Sequence, residues 1–316
     1  MCEGNQTQIT QIRLLGFQDL HKFKTILFIV FLLTYTMILT GNFVIILLVT
    51  TINNLKVPMF FFLKHLATAD VLLTTSVVPL MLDIIFLEEG RLSFAGCITQ
   101  LYCFGIFGFV QCFLIAVMSY DRFLAIYNPL RYSSIMGLDV CLQLVIGSWL
   151  LVTVLISSEI VMVCQFNFCG LNNIDHFFCD FGPIVELATS DTSILMYQDF
   201  VISIFMIFFP FAFIIMTYIS IFYTILKMSS NQRRKAFSTC SSHLITVCIY
   251  YVTLITVYMA PSNESTSNVN KYRSLLYILV TPLMNPIIYS LRNQKIKRAL
   301  QKLLKGLVTV TCKRST

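Results

Sequence analysis

Charged residues divide the chain into long apolar runs. No Asp, Glu, Lys or Arg falls between Lys24 and Lys56, Arg91 and Asp121, Asp139 and Glu159, Asp199 and Lys227, Lys235 and Glu264, or Arg273 and Arg292. A seventh run, from Lys64 to Asp83, is broken only by Asp70. About 20 apolar residues carry a helix across a bilayer, so each run predicts one membrane-spanning helix. The sustained period-two alternation of a transmembrane barrel is absent. The predicted fold is an all-α membrane protein. It is a seven-transmembrane helix bundle over residues 1–316, with short loops and no separate soluble domain.

Composition agrees with this pattern. Hydrophobic residues make up 57% and charged residues only 12% of the chain, whereas a soluble protein carries about 25% charged residues. No internal repeat of the kind that marks secondary transporters is visible, nor a row of intramembrane charges. The four histidines, His21, His65, His176 and His243, lack metal-ligand spacing, and no paired-carboxylate or His-Glu constellation suggests a membrane enzyme. No cofactor, resident metal or nucleic-acid partner is expected; the bilayer is the evident one.

The basic residues orient the bundle. With the amino terminus outside, 16 of the 22 Lys and Arg residues fall on the cytoplasmic side and 12 of the 15 acids on the outer side, as the positive-inside rule prefers. Lys22 and Lys24 oppose this locally. The first 24 residues form an extracellular tail without the apolar core of a cleavable signal, so the first helix acts as an uncleaved anchor. The sequons at Asn5 and Asn263 then lie outside, where glycosylation occurs. At the other end, residues 293–316 form a cytoplasmic segment. Its apolar Ile296, Ala299, Leu300, Leu303 and Leu304 recur at helical spacing among Lys and Arg, which predicts an amphipathic helix on the inner leaflet. Cys312 beyond it is a candidate for palmitoylation.

Two polar features stand out against this background. Asp121 and Arg122 sit together at the end of the third run, in "MSYDRFLAIYNPLRY" (Met118 to Tyr132). A bare charge inside the bilayer costs at least about 2.5–3.5 kcal/mol, which pairing at the membrane edge lowers. Asp70 is a mid-span carboxylate and requires a partner. Pro286 removes a backbone hydrogen bond and bends the last span.

"MSYDRFLAIYNPLRY" resembles the third-helix signature of rhodopsin-like G-protein-coupled receptors, in the form found in vertebrate odorant receptors of the class II branch. The resemblance continues through Gly41-Asn42, "PMFFFLKHLATADVL" (Pro58 to Leu72), "HFFCD" (His176 to Asp180), "KAFSTCSSHL" (Lys235 to Leu244) and "PLMNPIIYSLRN" (Pro282 to Asn293). It implies that Asn42, Asn285 and the break at Pro286 are the polar neighbours of Asp70. Gln111 stands where many relatives have a second acid, so a sodium ion near Asp70 and Gln111 would be held weakly. On activation Arg122 would leave Asp121 and point into a cavity opened by the sixth helix, held there by Tyr218 and Tyr289. Arg233, Arg234 and Lys235 would flank its mouth. The implied partner is a heterotrimeric G protein of the stimulatory olfactory type, which raises cyclic AMP, at the plasma membrane of olfactory neuron cilia. Cys97 and Cys179 resemble the disulfide common to this class. Thr189 occupies the usual partner position of Cys169, leaving Cys169 free or paired with Cys164.

The resemblance also places a ligand cavity in the outer half of the bundle, between the third, fifth, sixth and seventh helices. Phe104, Gly105, Gly108 and Phe109 would line it from the third helix, and Ile202 and Met206 from the fifth. The sixth would add Tyr251, Leu254, Ile255 and Tyr258, and the seventh Leu275 and Ile278. The expected ligand is a small, neutral, mostly apolar volatile odorant. Phe104 stands where monoamine receptors place an acid, so an amine would need another anion. Asp199 is the nearest, or else a hydrated charge at the loop edge. A receptor for a non-odorant metabolite and, less in keeping with the motifs, a transporter are the alternatives.

Overall fold

The computed structural model describes residues 9–17, 22–170, 172–258 and 267–303. Asn5, Asn263 and Cys312 lie outside them, as do the side chains of Lys235 and Tyr258. Among the described residues seven helices are long and apolar enough to cross a membrane. They are α1 (Lys24–Thr51), α2 (Pro58–Leu87), α3 (Phe94–Tyr127), α4 (Leu138–Val163), α5 (Ser193–Leu226), α6 (Ser230–Tyr258) and α7. The last is built from Ser267–Leu275, a π-helical turn Leu276–Val280 and Thr281–Arg292. A further helix, α8, covers 294–303.

Local chemistry explains the boundaries. Pro58 opens α2 at a position where its missing N–H costs nothing. Ser93 caps α3 by accepting a hydrogen bond from the Gly96 N–H at 3.1 Å. Glu88 ends α2 with a left-handed backbone, φ 68°. Of the seven spans, α3 is the most deeply buried, and α2, α4, α5 and α6 pack against it. By contrast α5 exposes Phe205, Phe208, Phe209 and Phe222, an apolar face suited to lipid.

The amino-terminal segment holds more structure than the tail that the sequence suggests. β1 (Gln11–Leu14) lies between β2 (Gly90–Ser93), to which it is antiparallel, and β3 (Asn173–Ile174), to which it is parallel. Ile12 pairs with Leu92, and Leu14 with Ile174. Ile12 and Leu14 are fully buried while Gln11 and Arg13 are exposed, the alternation of a half-buried strand. Beneath the sheet, Ile84, Phe168 and Ile174 share a small core with the Cys97–Cys179 disulfide. That bond spans 82 residues of chain and ties the start of α3 to the loop between α4 and α5. Neither alternative expected for Cys169 holds, because Cys169 is disulfide-bonded and Cys164 is free. Thr189 instead donates from its N–H and hydroxyl to the Asn167 carbonyl at 3.0 and 3.1 Å.

At the opposite end, α8 follows α7 after Asn293. Its Ile296 and Ala299 are buried in the main core while Lys295, Lys297, Arg298 and Lys302 are exposed. Close packing also marks the contact between α1 and α7. A Cβ on Gly41 would come within 2.9 Å of the Pro286 ring, which is rigid. Gly41→Val is therefore expected to lower stability by about 1–3 kcal/mol through overpacking. A reduced thermal midpoint of the purified protein in detergent is the readout, and an unchanged midpoint would show that the two helices separate without cost.

Candidate functional site

Three polar assemblies lie along the α3 axis. At the end remote from the disulfide, Arg122 donates through Nε and Nη2 to Asp121 Oδ2, the former at 2.9 Å. The hydroxyl of Tyr132, just past α3, donates to Asp121 Oδ1 at 2.6 Å. Asp121 is fully buried and Arg122 is 8% exposed. Both carboxylate oxygens are thus occupied, one by the guanidinium and one by a phenol. Such charge-assisted bonds are stronger than neutral ones.

About two turns deeper along α3, His243 of α6 joins three helices. Its Nε2 lies 3.2 Å from the Ile115 carbonyl on α3, and its Nδ1 lies 2.6 Å from the Tyr218 hydroxyl on α5. A carbonyl only accepts, so Nε2 carries the proton and Nδ1 accepts from the tyrosine. Tyr218 is therefore engaged with His243 rather than with Arg122. Tyr289 is fully buried on α7.

In mid-bundle, Asn285 Nδ2 donates to Asp70 Oδ2 at 2.8 Å. Asn42 Nδ2 donates to the Pro282 carbonyl at 3.0 Å, using the backbone beside the Pro286 break. The three residues, together with Gln111, are buried. Asp70 Oδ1, Asn42 Oδ1 and both polar atoms of the Gln111 amide have no partner. The oxygens suit a water or a hard cation. Among the described residues, no group of three or more His, Cys, Asp or Glu side chains could hold a metal ion.

At the disulfide end, a cavity of about 640 Å³ opens between α3, α4, α5, α6, α7 and the loop after α4, with Val257 the lining residue from α6. Phe104, Gly105 and Phe109 line it from α3 and Ile156 and Ile160 from α4, with Tyr277 on α7. Gly105 leaves room that a Cβ would contest with Ile156, at 3.3 Å. The far wall is polar: Glu159, Asp199, Asp180 and His176. Burial, with the charge of Lys271 beside it, pushes the His176 imidazole down to about 3. Burial also raises the Asp180 carboxyl above its ordinary range, although the Phe181 N–H opposes this. Lys271, itself 2% exposed, clamps α7 to the loop through Asp175 Oδ1 at 2.5 Å.

The cavity lies closer to α4 than the sequence placed it. Of the twelve residues expected to line it, Phe104, Gly105 and Phe109 do so. Ile202, Met206, Leu254 and Ile278 are packed in the core, and Leu275 is partly buried against it. Gly108 makes room for Tyr277, whose hydroxyl would be 2.7 Å from a Cβ. Tyr251 packs its ring on Phe211, centroids 4.6 Å apart. Ile255 is 46% exposed; one residue beyond the buried Leu254, it is turned about 100° from the core face. Tyr132, Glu159 and the bridging role of His243 escaped the sequence reading. Glu159 offered a signal as the charge that ends the fourth apolar run. The others depend on partners distant in sequence.

A seven-helix bundle with a disulfide over one end and a buried acid-base pair at the other defines a multi-pass membrane protein. The profile of the family described as "Olfactory receptor" matches residues 31–306. The chain is 43% identical over 303 residues to olfactory receptor 10A7 of Homo sapiens, covering 96% of each. It is 44% identical over 310 residues to olfactory receptor 5P81 of Mus musculus, again with 96% of each covered. This chain belongs to the olfactory receptor family, whose members are not enzymes.

The Tyr218–His243–Ile115 tie carries a direct consequence. Tyr218→Phe deletes one hydroxyl and leaves a buried imidazole nitrogen unpaired, which costs about 1–3 kcal/mol. A lower thermal midpoint of the purified receptor is expected, and an unchanged one would remove the tie from the forces joining α5 to α6.

Proposed function

We propose that this protein is an odorant receptor that binds a small, mostly apolar volatile in the cavity at its disulfide end. Binding there activates a stimulatory olfactory-type G protein at the opposite end and raises cyclic AMP. In this reading the amino terminus faces outward, the Arg122 end faces the cytoplasm, and the protein works in the plasma membrane of olfactory neuron cilia. The observation that carries it is the shared helix. Phe104 at the cavity and Arg122 at the pair belong to one α3, about 27 Å apart at 1.5 Å per residue. Family membership supports the ligand class.

The hydrogen bonds suggest how the ends communicate. With Arg122 on Asp121 and Tyr218 on His243, both groups needed to receive a G protein are engaged internally. A ligand shifts such an equilibrium only by its differential affinity for the two states. Ligand contacts on α3 and α7 that favour a shift of α6 would weaken the His243 bonds and release Tyr218 toward Arg122. The exposed Arg233 and Arg234 at the start of α6 border the opening where an acidic partner surface would dock. The exposed cations of α8 would face anionic lipid, each worth about 1 kcal/mol near such a surface.

The test is cyclic AMP accumulation in cells expressing the receptor with the stimulatory olfactory-type G protein, challenged with an odorant panel. A response lost in Arg122→Ala at equal surface level is the expected result. Full signalling from that variant would refute the latch, and silence of the wild type at good surface expression would refute the odorant or G-protein assignment.

A further inference from the structure

The polar wall of the cavity has an unbalanced charge. Five lining side chains are acidic (Glu159, Asp175, Asp180, Glu186 and Asp199) and one, Arg273, is basic. Asp175 is satisfied by Lys271, and Arg273 donates to Asn270 Oδ1 at 3.1 Å. Glu159 on α4 and Asp199 on α5 lie within hydrogen-bonding reach of each other, and the Ser203 hydroxyl donates to Asp199 Oδ1 at 3.4 Å. Asp180 lies close enough to Asp199 for their charges to interact. Among the described residues no Lys or Arg pairs with Glu159 or Asp199. Glu159 is only 7% exposed. Acids within a span ordinarily find a partner of opposite charge, and two neighbouring carboxylates repel each other.

An independent observation points into the same space. His176 lines the cavity and is 4% exposed, yet neither of its ring nitrogens has a hydrogen-bond partner. A buried imidazole left unpaired costs free energy, and its unprotonated nitrogen is an open acceptor for an N–H donor. The remaining lining, Phe104, Phe109, Ile156 and Tyr277, is an apolar and aromatic bed. Such a surface fits the hydrocarbon part of a ligand and also attracts a cation through its ring faces.

We infer that the cavity takes a small organic cation, a protonated amine on a short alkyl or aryl body, with its ammonium group held between Glu159 and Asp199. The inference rests on the cavity being the odorant site and narrows the ligand class from neutral volatiles to amines. Glu159 and Asp199 supply the anion that the Phe104 position lacks, from α4 and α5 rather than α3.

The test uses full-length receptor purified in detergent, with hexylamine and phenethylamine as probes and hexanol and phenethyl alcohol as neutral partners of the same skeleton. Ligand-induced shifts in the thermal midpoint measure binding, and cyclic AMP is recorded in parallel. The amines should bind at least about tenfold more tightly than the alcohols, as expected for a desolvated charge pair. Glu159→Gln and Asp199→Asn should each remove most of that preference. Asp199 is only half-buried, so its variant serves even if Glu159→Gln fails to fold. Equal binding of amine and alcohol, or amine binding unaltered in Asp199→Asn, would overturn the inference. Cyclic AMP responses to the alcohols alone would reject the amine while sparing the odorant reading. Amine binding that raises no cyclic AMP would support the cation site and sink the signalling assignment.

Discussion

Hydrocarbon offers no hydrogen-bond partner, and this constraint governs the whole molecule. Helices satisfy their own backbones, so the apolar runs become seven rods with little intrinsic reason to choose one arrangement. Selectivity comes from the few polar side chains that must find each other inside. Asn285 reaches Asp70, Asn42 reaches the Pro282 carbonyl, and His243 bridges Ile115 and Tyr218. Each bond joins different helices, so together they fix the angular setting of α1, α2, α3, α5, α6 and α7. Small residues at the crossings, such as Gly41 against Pro286, let the backbones come close enough for these bonds to form.

The central position of α3 gives both ends of the bundle a common element. One end bears the cavity residues Phe104, Gly105 and Phe109, and the other bears Asp121 and Arg122. Between them lie Gln111 and the unpaired atoms around Asp70. Unpaired polar atoms in a core cost free energy, and this middle layer gathers four of them, on Asp70, Asn42 and Gln111. In the proposed signalling role, this is the layer where a second arrangement of the helices would find polar atoms still free to pair.

The disulfide end is built differently. Its order comes from β1 paired on both edges, from the Cys97–Cys179 bond and from the Lys271–Asp175 clamp. Gln100 joins these pieces: its Nε2 donates to the Ser76 carbonyl at 2.8 Å and its Oε1 accepts from the Cys179 N–H at 2.9 Å. The loop after α4 is thereby held as one wall of the cavity. Its acidic residues stand against α4 and α5, which gives the cavity an apolar side and an anionic side.

Local sequence determined the spans, because membrane thickness sets helix length and charge marks where a span must end. The acid-base pair, the mid-span Asp70 and the amphipathic run of α8 were equally legible, since each is a breach of an apolar pattern or a period visible in a few residues. Tertiary structure alone decided what those groups meet. β1 could not be foreseen, since four alternating residues carry no signal until Leu92 and Ile174 lie beside them. Ile255 and Leu254 are adjacent in sequence yet face opposite environments, because helix rotation is set by contacts with other spans. The cavity wall at Glu159, Asp199 and His176 unites three segments that no local rule connects. A bilayer reads hydrophobicity along the chain, whereas a binding site depends on which faces the packed helices turn toward one another.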